Sequence, residues 1–188
     1  MTWAALVPLK AEVARKSRLA ARLALNDRIA LSHALLGRLT TALHAVPRIG
    51  SIALLTDAPP VGWNERWIPD RNRGLNAELE AARSLLETPL VVIHPDLPLV
   101  EPGDLEFLLD MAEETGCSIA PDRHGEGTNA LAMARPAPLT FQFGAHSFAR
   151  HCATPGIKLT SVGRLGLSLD CDTPDDLDRA IAGGFVLP

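Results

Sequence analysis

Residues 90–100 read LVVIHPDLPLV, and this stretch decides the fold. Leu90 to Ile93 is an unbroken apolar run with no polar alternation. That pattern belongs to a strand covered on both faces, as in a parallel sheet. Pro95 ends the run, Asp96 is the first carboxylate beyond it, and Pro98 stiffens the loop. In an open α/β sheet, ligands bind outside the carboxyl ends of the strands. Asp96 therefore stands where a metal-bound phosphate is expected.

Working outward, the same strand pattern recurs at Trp3–Leu9 (WAALVPL) and Ile49–Leu55 (IGSIALL). Between them, Ile29, Leu31, Leu35, Leu36, Leu39 and Leu43 fall at helical spacing. This predicts a crossover helix over Asp27–His44 with Asp27 as its N-cap. Trp67-Ile68-Pro69 reads as a short third strand, followed by a helix running to about Glu87. A helix over 104–115 (DLEFLLDMAEET) follows the central strand, and further strands are expected at Ser118–Ala120, Ala130–Ala134 and Leu165–Leu169. The alternation predicts one α/β domain over residues 1–188.

The chain is 47% hydrophobic and 21% charged, an ordinary globular balance. A net charge of -4 and the lack of any basic run of five argue against a nucleic-acid surface. Cys117, Cys152 and Cys171 are odd in number and form no CxxC, so neither a disulfide framework nor a zinc site is expected. A reducing cytoplasm is the simplest setting. The apolar stretch in MTWAALVPLK is too short for a membrane span and lacks a leader layout. A mean hydropathy of +0.11 is compatible with a homodimer.

Several segments carry candidate chemistry. Lys10, Arg15, Lys16 and Arg18 cluster directly after the first strand. They are either a solvated helix start or a loop that wraps a triphosphate. The GxxxxGK[ST] pattern is absent, so this is no P-loop. In RGLN (73–76), Gly74 permits close backbone approach, and Asn76 is either a helix N-cap or a base-reading amide. GEGTN (125–129) is either an anion-binding turn ending in Thr128 or a plain hairpin turn. In FGAHSF (143–148), Gly144 allows a sharp turn, and Ser147 is either a cap or part of a small phosphate or carboxylate site. Near the end, Thr173, Pro174, Asp175 and Asp176 suit a helix start. That leaves Asp170 and Asp172 without a structural task, and one of them could join Asp96 in holding Mg²⁺.

Taken in order, PLK, KSRLA, RGLN, PDLPLV, GEGTNAL, FGAHSF and DCDTPDDL closely resemble the 2-phospho-L-lactate guanylyltransferase family. The resemblance covers about residues 3 to 178. It implies a three-layer α/β/α sandwich with a mostly parallel central sheet, the glycosyltransferase-A-like nucleotidyltransferase fold. It implies transfer of GMP from GTP to a phosphorylated three-carbon acid, with pyrophosphate released, in deazaflavin coenzyme F420 biosynthesis. The acid is 2-phospho-L-lactate, phosphoenolpyruvate or 3-phospho-D-glycerate, depending on lineage. By the same resemblance, Lys10, Lys16 and Arg18 wrap the triphosphate, and Gly74 and Asn76 belong to the nucleotide pocket. Asp96 and Asp172 bind Mg²⁺, while Thr128, Gly144 and Ser147 bind the acid. His94 and Asn129 depart from the family pattern, and the second departure touches the acid pocket. Other nucleotidyltransferases of this fold carry a glycine-rich loop after strand one, which Pro8-Leu9-Lys10-Ala11 lacks. A non-catalytic nucleotide-binding protein is the remaining alternative.

Overall fold

The computed structural model describes residues 1–9, 16–86 and 89–188. Its sheet contains β1 (Trp3–Pro8), β2 (Ile49–Thr56), β3 (Arg66–Pro69), β4 (Leu90–Ile93), β5 (Cys117–Pro121), β6 (Thr128–Met133) and β7 (Thr160–Ser161). The spatial order is β3-β2-β1-β4-β6-β5-β7. The β1–β2, β2–β3, β1–β4 and β5–β7 pairs are parallel, whereas β6 runs antiparallel to both β4 and β5. The sheet is thus mostly parallel, with one reversed strand. β4 has a parallel neighbour on one side and an antiparallel one on the other.

Among the described residues the α-helices are α1 (Leu25–His44), α2 (Leu75–Arg83), α3 (Pro102–Thr115), α4 (Ser147–Cys152), α5 (Leu165–Ser168) and α6 (Pro174–Ala182), with a 3-10 turn at Ser17–Leu19 before α1. Alternate strand residues face opposite sides, which builds the layers. Trp3, Ala5 and Val7 of β1, with Val91 and Ile93 of β4, pack on Leu36, Leu39 and Leu43 of α1 and Leu105, Leu108 and Leu109 of α3. The other face, with Ala4, Leu6, Leu90, Val92 and Leu131, packs on Leu79 and Ala82 of α2 and on Phe141 and Phe143. A third cluster joins Leu19, Leu31 and Leu35 to Leu169, Cys171 and Leu177, so α6 braces the segment after residue 16. No described helix is long and apolar enough to cross a membrane.

Three local expectations are corrected. Residues 165–168 form α5, not a last strand. Gly166 lets this turn press against its neighbours, since a Cβ there would meet the Leu99 carbonyl oxygen at 2.7 Å and the Asp104 carboxylate closer still. A short apolar run has no period to separate strand from helix. α1 begins two residues before Asp27 with Ala24 as its N-cap, leaving Asp27 in the first turn, where its charge still suits the helix dipole. α2 is capped by Gly74 at φ 95°, not by Asn76, whose side chain is engaged elsewhere.

Candidate active site

The order 2-1-4 makes a switch point between β1 and β4, where a crevice opens at the carboxyl edge. A cleft of about 400 Å³ lies there. One side is formed by Pro8, Leu9, Lys16, Ser17 and Arg18, with Ser32 and Leu35 of α1 behind them. The floor carries Asp96, Asp170 and Asp172, and the far wall holds Thr128, Asn129, Phe143, Gly144 and Ser147. Lys10 lies outside the described residues.

Lys16 is the hub. Its Nζ donates to Asp96 Oδ2 at 3.0 Å and to Asp172 Oδ1 at 3.0 Å. The two carboxylate oxygens are therefore separated by at most twice 3.0 Å. Burial alone would depress the Lys16 ammonium, but Asp96 and Asp172 outweigh it and hold its pKa above the ordinary lysine value. Burial likewise pushes Asp96 up, and Lys16 followed by His94 brings it below the usual carboxylate range. Asp170 moves the other way: burial, then Asp96 and Asp172, raise it to about 6. Lys16 adopts a left-handed backbone, φ 52° and ψ 37°, which costs a non-glycine residue about 1–2 kcal/mol. The double ion pair secures it. Arg18 stands at the mouth, largely exposed, with Nη1 3.8 Å from Asp172 Oδ2.

The two aspartate loops are tied together through the backbone. Cys171 N–H donates to the Asp96 carbonyl at 2.9 Å, and His94 N–H donates to the Asn129 carbonyl at 2.9 Å. Asp176 accepts from Asp172 N–H, Thr173 N–H and the Thr173 hydroxyl, and pairs with Arg123. The expected helix start is real, with Thr173 capping α6, Pro174 opening it and Asp175 and Asp176 in its first turn; Arg123 also binds both aspartates and fastens the β5 exit to α6.

One atom bears on a metal. Asp96 Oδ1 is buried and takes no hydrogen bond among the described residues. No cluster of three or more metal-binding side chains occurs among them. An orphaned carboxylate oxygen beside a second carboxylate fits Mg²⁺, which takes one or two protein carboxylates and completes its shell with substrate phosphates and water. Asp96 and Asp172 are the residues that would hold it.

At the far wall the structure decides between the alternatives that the sequence leaves open for three segments. The GEGT turn does not offer free backbone N–H groups. Asp122 Oδ1 accepts from His124 N–H and Glu126 N–H, and its Oδ2 from Gly127 N–H. The turn is a hairpin loop fastened by Asp122, and Thr128 contributes its side chain alone. Ser147 is the first residue of α4, not its cap; His146 holds that position. Gly144, at φ 119°, makes the turn that brings Ser147 to Thr128. Asn76 does not reach the cleft as a base reader: its Nδ2 donates to the Phe143 carbonyl and its Oδ1 accepts from Phe143 N–H. It fixes the Phe143 wall, while its neighbour Leu75 lines the cleft.

Sequence reasoning did not place Asp122 or His151. His151 lies four residues after Ser147 on α4, hence on the same helix face, and that spacing was the available signal. The Asp122 signal was a carboxylate at a strand exit followed by two glycines.

A crevice at the switch point of a 3-2-1-4-6-5-7 sheet, with Asp96, Asp170 and Asp172 on its floor, is the place where open α/β sheets bind their ligands. Solved structures agree on the fold. A candidate nucleotide-diphospho-sugar transferase from Desulfovibrio desulfuricans matches with a TM-score of 0.73 at 12% identity, covering 95% of this chain and 86% of that one. A CMP:2-keto-3-deoxy-manno-octonic acid synthetase matches with a TM-score of 0.61 at 13% identity, over 97% and 98% of the two chains. In sequence, residues 3–184 match the family described as "Guanylyl transferase CofC like". A phosphoenolpyruvate guanylyltransferase from Sphaerobacter thermophilus is 37% identical over 95% of this chain and 92% of its own. The chain belongs to the CofC-like guanylyl transferase family and is a nucleotidyltransferase.

Proposed function

We propose that this enzyme transfers GMP from GTP to a phosphorylated three-carbon acid, with phosphoenolpyruvate the favoured acceptor, in coenzyme F420 biosynthesis in the cytoplasm. The acceptor choice is supported by the name of the Sphaerobacter relative. The observation that carries the reading is the Lys16 bridge between Asp96 and Asp172, facing a hydroxyl-lined wall across one cleft.

A phosphate oxygen of the acid attacks the α-phosphorus of GTP. The bond from that phosphorus to the bridging oxygen breaks, and pyrophosphate leaves with the electron pair. The nucleophile is already anionic, so the protein's work is alignment and charge neutralisation. Lys16 and Arg18, with Lys10, meet the β- and γ-phosphates and favour departure of pyrophosphate. Asp96 and Asp172 would hold Mg²⁺, which when bound supplies positive charge at the α-phosphate. Thr128, Gly144 and Ser147 orient the acid. Gly74 and Asn76 act on the cleft indirectly, through the Leu75 lip and the Phe143 wall.

The test is pyrophosphate release with Mg²⁺ and GTP, offering phosphoenolpyruvate, 2-phospho-L-lactate and 3-phospho-D-glycerate separately. Turnover with phosphoenolpyruvate is expected. Silence with all three acids, or turnover driven by CTP, overturns the reading.

A further inference from the structure

Thr128, Ser147 and His151 are buried together at the far wall, and His151 is 0% exposed. His151 Nδ1 lies 3.1 Å from Thr128 Oγ1, and Ser147 Oγ lies 3.1 Å from that same oxygen. The third contact fixes the direction of the others. The backbone N–H of Gln142 donates to His151 Nε2 at 2.9 Å. A peptide N–H can only donate, so Nε2 carries a lone pair and the proton of the neutral ring sits on Nδ1. The ring is held in this orientation by Phe143, whose edge meets it at 5.0 Å and 73°.

The protons can now be counted. The group owns three: His151 Nδ1–H and the two hydroxyl protons. His151 uses one on Thr128 Oγ1, and the contact between Thr128 and Ser147 uses another. Whichever hydroxyl donates to its neighbour, one hydroxyl proton is left over, and both residues line the cleft. With the opposite tautomer, Ser147 could donate to Thr128 and Thr128 to Nδ1, and the wall would turn only lone pairs to a ligand. Burial, then Arg150, lowers His151 to about 4, so the count holds at neutral pH.

We propose that His151 is a positioning residue that compels the Thr128–Ser147 pair to present a hydroxyl donor to the cleft, selecting an anionic oxygen of the acid substrate at this wall. The inference rests on the reading of this wall as the acid site. It adds that the site is set by a ring that never touches the substrate.

The test uses two variants. His151→Phe keeps a ring but has no nitrogen, and His151→Asn keeps an N–H near the Nδ1 position. In steady-state pyrophosphate release, H151F is expected to raise the KM for the acid at least tenfold while the KM for GTP stays within twofold. H151N recovers most of that loss. In a Thr128→Val background, H151F adds nothing further. A folded H151F with wild-type KM for the acid, an equal rise for GTP, or the full loss repeated on T128V overturns the proposal. If H151F does not fold, the ring nitrogens of the wild-type protein decide. ¹⁵N spectra are expected to show Nδ1 protonated and Nε2 bare, with Nδ1–H shifting when oxalate or inorganic phosphate is added. Whichever anion produces the shift identifies a carboxylate or a phosphate as the group bound. A proton on Nε2, or no response to either anion, overturns it. The spectra need no turnover, so inactivity with every acid would remove the proposed function while His151 is still judged.

Discussion

Lys16 Nζ lies 3.0 Å from Asp96 Oδ2, across 80 residues of sequence, and the same nitrogen holds Asp172. This ammonium bridges the two carboxylates that would hold a cation and leaves Asp96 Oδ1 free of a hydrogen bond among the described residues. In Lys16→Met, the two carboxylates lose their shared counter-charge and repel each other. The variant is expected to bind Mn²⁺, without nucleotide, at least tenfold more tightly than the wild type in calorimetry, while kcat falls at least a hundredfold. Equal Mn²⁺ affinity in both proteins would mean that the metal does not use these two carboxylates.

Asp96→Asn keeps the shape of the floor and removes its buried charge. Electrostatic groups of this kind are worth about 10²–10³ in rate when removed singly. The variant should lose kcat on that scale, with the KM for GTP changed less than threefold. Near wild-type turnover would remove Asp96 from the proposed mechanism.

The two central strands that open on the cleft were legible because Trp3–Leu9 and Leu90–Ile93 are apolar without alternation, which a two-sided sheet demands. The Leu165–Leu169 segment misled for the same reason: a run this short looks identical as strand or buried helix. Asp96 was legible as a carboxylate at a strand end, whereas position alone did not separate Asp172 from Asp170, and only the family resemblance singled it out. What was hidden was the use of polar groups between distant segments. Asn76 is spent on Phe143, and Asp122 closes its own loop. Such pairings depend on tertiary approach, which neither spacing nor composition encodes.

Asn129 has a structural task. Its Nδ2 donates to the Leu167 carbonyl at 2.9 Å and to the Ser168 carbonyl at 3.3 Å, satisfying the end of α5. Asn129→Ala leaves these acceptors without that donor. The expected cost is about 1–2 kcal/mol, seen as a drop in Tm of roughly 2–8 °C for a domain of this size. An unchanged Tm would show that other groups or water satisfy them equally.

Glu78 is 2% exposed and accepts from Arg73 Nε at 2.9 Å, Arg73 Nη2 at 2.9 Å and Arg73 N–H at 3.0 Å. The Arg73 side-chain bonds, against burial, bring its pKa down from 4.5 to about 2. Because the folded value is the lower one, the contribution is complete above 4.5 and is lost as pH falls through about 2. Arg73 is half exposed, so Glu78→Gln should cost only about 1 kcal/mol at neutral pH. The gap in Tm between wild type and variant should close as pH falls from 4.5 towards 2. A gap that stays constant with pH would assign the effect to packing.

The reversed strand β6 has a consequence for how acceptor choice can change. Because it runs against β4, its first residues, and not its last, reach the cleft. The wall proposed for the acid is therefore drawn from one unbroken passage, residues 122–151, whereas the described part of the opposite side comes mainly from Pro8, Leu9, Lys16, Ser17, Arg18 and α1. Acceptor preference becomes a portable trait. Grafting that single passage between relatives exchanges the acid-facing surface and leaves Lys16, Asp96 and Asp172 on their own backbone.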